Sequence, residues 1–125
     1  MFESVNIKEY QMYHEKCNLL LQEHEIRFAG FLDPMGNLIA GGFKEGVIPL
    51  HDESERRKLY IGAVLRVKTT QDFDYDLGSS DYIATRRKKV ITFIFDHDDQ
   101  VLFVSTEPNV NIEKTAQKII QICGI

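Results

Sequence analysis

The stretch from Gly30 to Gly46, GFLDPMGNLIAGGFKEG, carries five of the chain's eight glycines and constrains the fold more than any other segment. Glycine clusters of this density serve two unlike ends. A phosphate-binding loop needs a strand, a glycine turn and a helix N-terminus whose free N–H groups meet the phosphate. Here the segment 41–46 lacks the Gly-Lys-Ser/Thr ending of such a loop. Pro49 also separates Gly46 from the next capping residue, Asp52. A β-hairpin accounts for more of these residues. Asp33, Pro34 and Gly36 occupy the first, second and fourth positions of a type I turn. Gly36 can take the left-handed conformation that closes it with a bulge. The flanking strands are expected at 26–32 and 38–43. Gly41 and Gly42 would then thin the second strand, so that a helix or a neighbouring backbone can approach closely.

The rest of the chain reads as helices and short strands. Tyr10, Tyr13, His14, Cys17, Leu20, Leu21 and His24 recur at helical spacing and predict a helix over 8–24, with Asn6 as its cap. Asp52 to Glu55 matches a capping box, and a second helix should run to about residue 70. Its apolar face would hold Leu59, Tyr60, Ala63, Val64 and Val67. Residues 71–81 read as a loop with a helical extension. Strands are expected at 82–86, 90–95 and 101–105, the last two joined by a turn over 96–100. A final helix starts near Asn111 and buries Ile112, Ala116, Ile119, Ile120 and Cys123. The order is α-β-β-α-β-β-β-α. It predicts an α+β fold: a five-stranded, largely antiparallel sheet with helices on both faces.

A length of 125 residues suits a single domain, 1–125, that buries a core without staples. A net charge of −4 argues against whole-surface binding of nucleic acid. Cys17 and Cys123 each sit in an apolar helical pattern and read as small buried hydrophobes. The opening Met-Phe-Glu-Ser-Val-Asn has neither the basic nor the apolar run of a signal peptide. No segment reaches the roughly 20 apolar residues of a membrane span. A cytoplasmic location is the default expectation.

The element order, together with the hairpin FLDPMGNLIAGG, resembles the roadblock/LC7 fold within the profilin-like and longin-like group. An apolar strand, an Asp-x-x-Gly turn and a second strand of small residues carry the likeness. At a finer level, IRFAGFLDPMGNLIAGGFKEGVIPL and FDYDLG resemble a family of small uncharacterised archaeal proteins. The roadblock resemblance implies a homodimer in which the second helix packs against its partner and the third strand pairs edge to edge. Tyr60, Ala63, Val64 and Val67 are the helix residues this implies, with Tyr82, Ile83, Ala84 and Thr85 on the strand. It also implies a platform for small GTPases or larger complexes. The archaeal family implies no activity.

Physical reasoning fits the dimer. An exposed strand edge over 82–85 is a liability unless it is covered, paired or guarded by charge. Arg86, Arg87, Lys88 and Lys89 could guard it in a monomer. The same run could contact nucleic acid or anionic lipid, although alternate residues of a strand point to opposite faces. Asp72-Phe73-Asp74-Tyr75-Asp76 alternates acid and aromatic. Its aromatics either anchor the loop to the core or dock a partner.

No catalytic signature stands out. There is no Gly-x-Ser-x-Gly elbow and no spacing that pairs two carboxylates. His14, Cys17 and His24 would share a helix face, yet a zinc site needs more ligands; a buried, satisfied histidine is the expectation. Asp96-His97-Asp98-Asp99 lacks the spacing of a calcium loop and reads as a solvated hairpin tip. With no catalytic signature against it, the roadblock resemblance therefore implies a non-enzymatic dimeric adaptor or regulator without cofactor or metal, with a small GTPase as candidate partner. Two alternatives remain. One is a small-ligand sensor with a pocket lined by Phe28, Phe31, Phe93 or Phe95. The other is a weak nucleic-acid-associated protein.

Overall fold

A computed structural model describes residues 6–125. The signal-peptide reading falls, except for Asn6, outside them. The elements are α1 (Ile7–Leu21), β1 (Ile26–Leu32), β2 (Leu38–Phe43), α2 (Glu53–Gln71), α3 (Asp74–Leu77), β3 (Ile83–Arg86), β4 (Ile91–His97), β5 (Gln100–Thr106) and α4 (Ile112–Cys123). The strands form one antiparallel sheet in the order β2-β1-β5-β4-β3. As the sequence predicted, helices cover both faces: α1 and α4 on one, α2 on the other.

Local chemistry explains the element ends. Asn6, Asp52 and Asn111 each accept a hydrogen bond from a backbone N–H three residues on, at 2.9, 2.8 and 2.9 Å. Each satisfies a donor that the first helical turn leaves free. Two expectations need correction. The first helix stops at Leu21, so His24 lies in the following turn and not on the helical stripe. The turn between β4 and β5 is tighter than 96–100. Only Asp98 and Asp99 intervene between the paired His97 and Gln100, at φ 46° and 66°. Such a two-residue turn needs a left-handed backbone at both positions, which aspartate tolerates better than most residues.

The β1–β2 hairpin has its predicted strands. Asp33 accepts from the N–H groups of Met35 and Asn37, both at 2.9 Å, and Gly36 takes φ +82°. Gly41 has the role expected of it: at φ +91°, a β-carbon there would collide with the Ala29 carbonyl and the Gly30 backbone. Gly42 does not share it, since nothing lies within 4 Å of where its β-carbon would stand.

The two faces bury different sets of side chains. Ala29, Phe31, Phe93, Phe95, Leu102 and Val104 meet Tyr13, Cys17 and Leu20 of α1 and Ala116, Ile119 and Cys123 of α4. Phe28, Leu32, Ile94, Val101 and Phe103 meet Tyr60, Ala63, Val64 and Val67 of α2. Ile26 belongs with the first set although Phe28 belongs with the second. The register explains this. Ile26 pairs with Thr106 and Phe28 with Ser105, so Arg27 forms a bulge that lets β1 change face.

Candidate functional site

β3 is an edge strand. It pairs with β4 only, in the register Ile83↔Ile94 to Arg86↔Ile91. The Arg87 N–H donates to the Val90 carbonyl at 2.9 Å, and hydrogen-bonded pairs alternate along an antiparallel ladder. Ile83 and Thr85 therefore direct their backbone groups to β4, while Ala84 and Arg86 direct theirs outward. The side chains of Tyr82 and Ala84 join the core under α1 and α4, and Ile83 joins the α2 side. Tyr82 also bonds through its hydroxyl to Glu113 of α4. That bond raises the tyrosine pKa and lowers the glutamate's.

The helix residues of the implied interface face the protomer's own sheet. Tyr60, Ala63, Val64 and Val67 are all buried against it. The outward side of α2 instead carries Ile61 and Leu65, 40% and 56% exposed. Sequence reasoning missed both residues. Their i, i+4 spacing was a second apolar stripe, hidden because α2 is apolar on more than one side. Leu59, expected in the buried face, is 38% exposed. At the end of α2, Phe73, Tyr75 and Leu77 stand open at 51%, 86% and 79%. The aromatic pair thus does not anchor this loop to the core.

The basic run divides. Arg86 donates to the carbonyls of Pro108 and Val110 at 3.1 and 3.4 Å, which ties it to the loop before α4. Arg87, Lys88 and Lys89 form the exposed tip of the β3–β4 hairpin. Three cations gathered on a turn escape the alternation of a strand.

A cavity of about 70 Å³ lies between α2 and the sheet. Phe28, Phe43, Tyr60 and Phe103 wall it, and Arg27, His51 and Arg56 stand around it. Of the four phenylalanines expected to line a pocket, only Phe28 does. Phe31, Phe93 and Phe95 are fully packed in the opposite core.

Both cysteines are buried. Burial pushes the Cys17 thiol up to about 12 and the Cys123 thiol up to about 11. Both stay protonated at neutral pH and so lack the nucleophilic thiolate. The histidine expectation fails in detail. His14 is half-buried with its ring 4.5 Å from that of Tyr10, and His24 is exposed. Among the described residues, no three His, Cys, Asp or Glu side chains are placed to hold a metal, and no helix is long and apolar enough to cross a membrane.

Solved structures share this architecture. Myxococcus xanthus MglB superposes with a TM-score of 0.73 at 13% identity, over 98% of this chain and 90% of that one. The Roadblock/LC7 domain from Streptomyces avermitilis gives 0.67 at 10% identity, over 89% and 91%. MglB with tetrameric arrangement gives 0.69 at 12% identity, over 97% and 93%. The fold is thus that of roadblock/LC7 structures. No curated protein matches the sequence. The family model described as Family of unknown function (DUF6659) matches residues 2–125, and the chain belongs to that family.

Proposed function

We propose that the chain is a single roadblock-type domain that homodimerises and serves as a non-enzymatic adaptor or regulatory platform, with a small GTPase as candidate partner. The observation that carries this reading is the unpaired outer edge of β3 beside an apolar outer side of α2. The edge offers the backbone groups of Ala84 and Arg86, and α2, tied to β3 through Arg66, adds the exposed Leu65; Ile61 lies against Gly36 of the β1–β2 turn. The other free edge is a poorer ladder. β2 contains Gly41 at φ +91°, far from extended geometry. The helix share of the interface moves from Tyr60, Ala63, Val64 and Val67 to that outward side, while the strand share stays on residues 82–85.

Phe73, Tyr75 and Leu77 are the partner-contact residues of this reading, because three exposed apolar side chains on one short segment suit a docking surface. The GTPase rests on the roadblock resemblance. Mass in solution at tens of micromolar tests the dimer, and a clean monomer overturns it. Pull-down from the native cell with mass spectrometry tests the platform. Recovery of a GTPase or a GTPase-linked protein supports it, and recovery of the chain alone counts against it.

A further inference from the structure

The cavity beside α2 has a chemistry of its own. Phe28 is its centre: the rings of Phe43, Tyr60 and Phe103 stand 4.9, 5.8 and 5.9 Å from it, centroid to centroid. Tyr60 and Phe103 close the set at 5.9 Å. A cage of aromatic rings alone would suit an apolar group or a cation. The charged residues around it decide between them. Among the described residues, both charged residues of the lining are arginines and no carboxylate lines the space.

Arg56 lies with its guanidinium carbon 5.5 Å from the centre of the Phe43 ring and donates one N–H to the His51 carbonyl at 2.7 Å. A guanidinium has five N–H donors, so others remain. Arg27 meets Glu107 at 3.4 Å, long for a charged hydrogen bond, which leaves it able to turn to a better acceptor. The hydroxyls of Thr92 and Ser105 add donors on the sheet side. Cations are repelled and an anion is matched.

We propose that this cavity binds a small carboxylate with a short aliphatic body. The cavity is about 70 Å³ and opens to solvent, room for the end of a short chain rather than for a whole ligand to be enclosed. A short branched aliphatic end suits a space of this size walled by apolar rings. The aliphatic end sits against Phe28 and Phe103, and the carboxylate faces Arg56 and Arg27. The site does not depend on the dimer. Its strands are β1, β2, β4 and β5, and β3 lines none of it. Ligand and partner can therefore occupy the domain together.

Isovalerate is the probe, followed by amide chemical shifts of the intact chain. The expected result is saturable shifts at Phe28, Arg56, Phe103 and Ser105, with a Kd of about 1 mM or below, within reach of a ligand this small. Isovaleramide, the neutral isostere, and isoamylamine, the cation, should bind at least about tenfold more weakly, the scale of a lost charged hydrogen bond. Arg56→Gln and Arg27→Gln should each weaken isovalerate without altering the weak amide. Absence of saturable shifts at about 20 mM isovalerate, far above that expected Kd, overturns the proposal. Equal binding of acid and amide, or shifts clustered away from Phe28, overturns it as well. Because the three probes are compared on the unmodified chain, the test holds even where an arginine variant fails to fold. Loss of the dimer in the Ala84→Pro variant should leave the isovalerate shifts unchanged, which separates this site from the β3 interface.

Discussion

Arg66 donates a hydrogen bond to the Thr85 hydroxyl at 3.2 Å and so fastens the middle of α2 to the edge strand β3. The helix and the strand edge are held as one surface. A partner that pairs with β3 meets α2 in a set position, and Leu65 is the residue next to that tie.

Ala84→Pro should convert a dimer into a monomer while the fold persists. The proline removes an N–H that points outward and leaves the bonds to β4 in place, the arrangement in which edge strands tolerate proline. Sedimentation equilibrium reads the mass, and circular dichroism reads the fold. A dimer unchanged by this substitution would place the interface elsewhere.

Gly41→Ala should destabilise the chain by about 2 kcal/mol or more, since a β-carbon at positive φ would meet backbone atoms that cannot withdraw. Gly42→Ala should stay within about 0.5 kcal/mol, because the space beside it is open. Urea unfolding of the two variants side by side gives the contrast.

Asn111→Ala should cost about 1 kcal/mol through the lost cap of α4. The midpoint of urea unfolding should fall while its slope stays constant.

His97 makes stability depend on pH. Burial lowers its pKa below 6.5, and nearby Lys16 adds to the shift, against the opposing pull of Asp98 and Asp96. Its ring packs near Tyr13 and Phe31. The unfolded chain therefore takes up this proton first as pH falls. The contribution is fully present above pH 6.5 and is lost as pH drops through the lower folded value. His97→Gln should flatten the fall in melting temperature as pH drops below about 6.5, the ordinary histidine pKa.

Phe73→Ser and Tyr75→Ser should change stability by less than about 0.5 kcal/mol, as expected for exposed side chains. Any partner that binds α3 should lose affinity with them. Unchanged capture of the partner by both variants would remove this loop from the docking surface.

Much of the fold was legible because its signals are local. Asp33, Pro34 and Gly36 specify a turn within four residues, and Asn6, Asp52 and Asn111 mark helix starts by their own side chains. The candidate site was less legible. The apolar face of α2 was legible in Tyr60, Ala63, Val64 and Val67, but which apolar residues stay open, Leu59, Ile61 and Leu65, depends on packing. The arginines of the cavity left no trace either. Arg27 and Arg56 are far apart in sequence and meet only because the bulge at Arg27 and the start of α2 share one end of the sheet.

The covering of the sheet has a last consequence. α1 and α4 shield one face together, while α2 alone shields the other and leaves a hollow beside it. The molecule thus has a thick side and a thin side. Backbone amides of α2 should exchange with solvent sooner than those of β1 and β5, which the thick side protects whatever α2 does. A chain built this way can alter what its thin side holds while the rest of the sheet stays assembled.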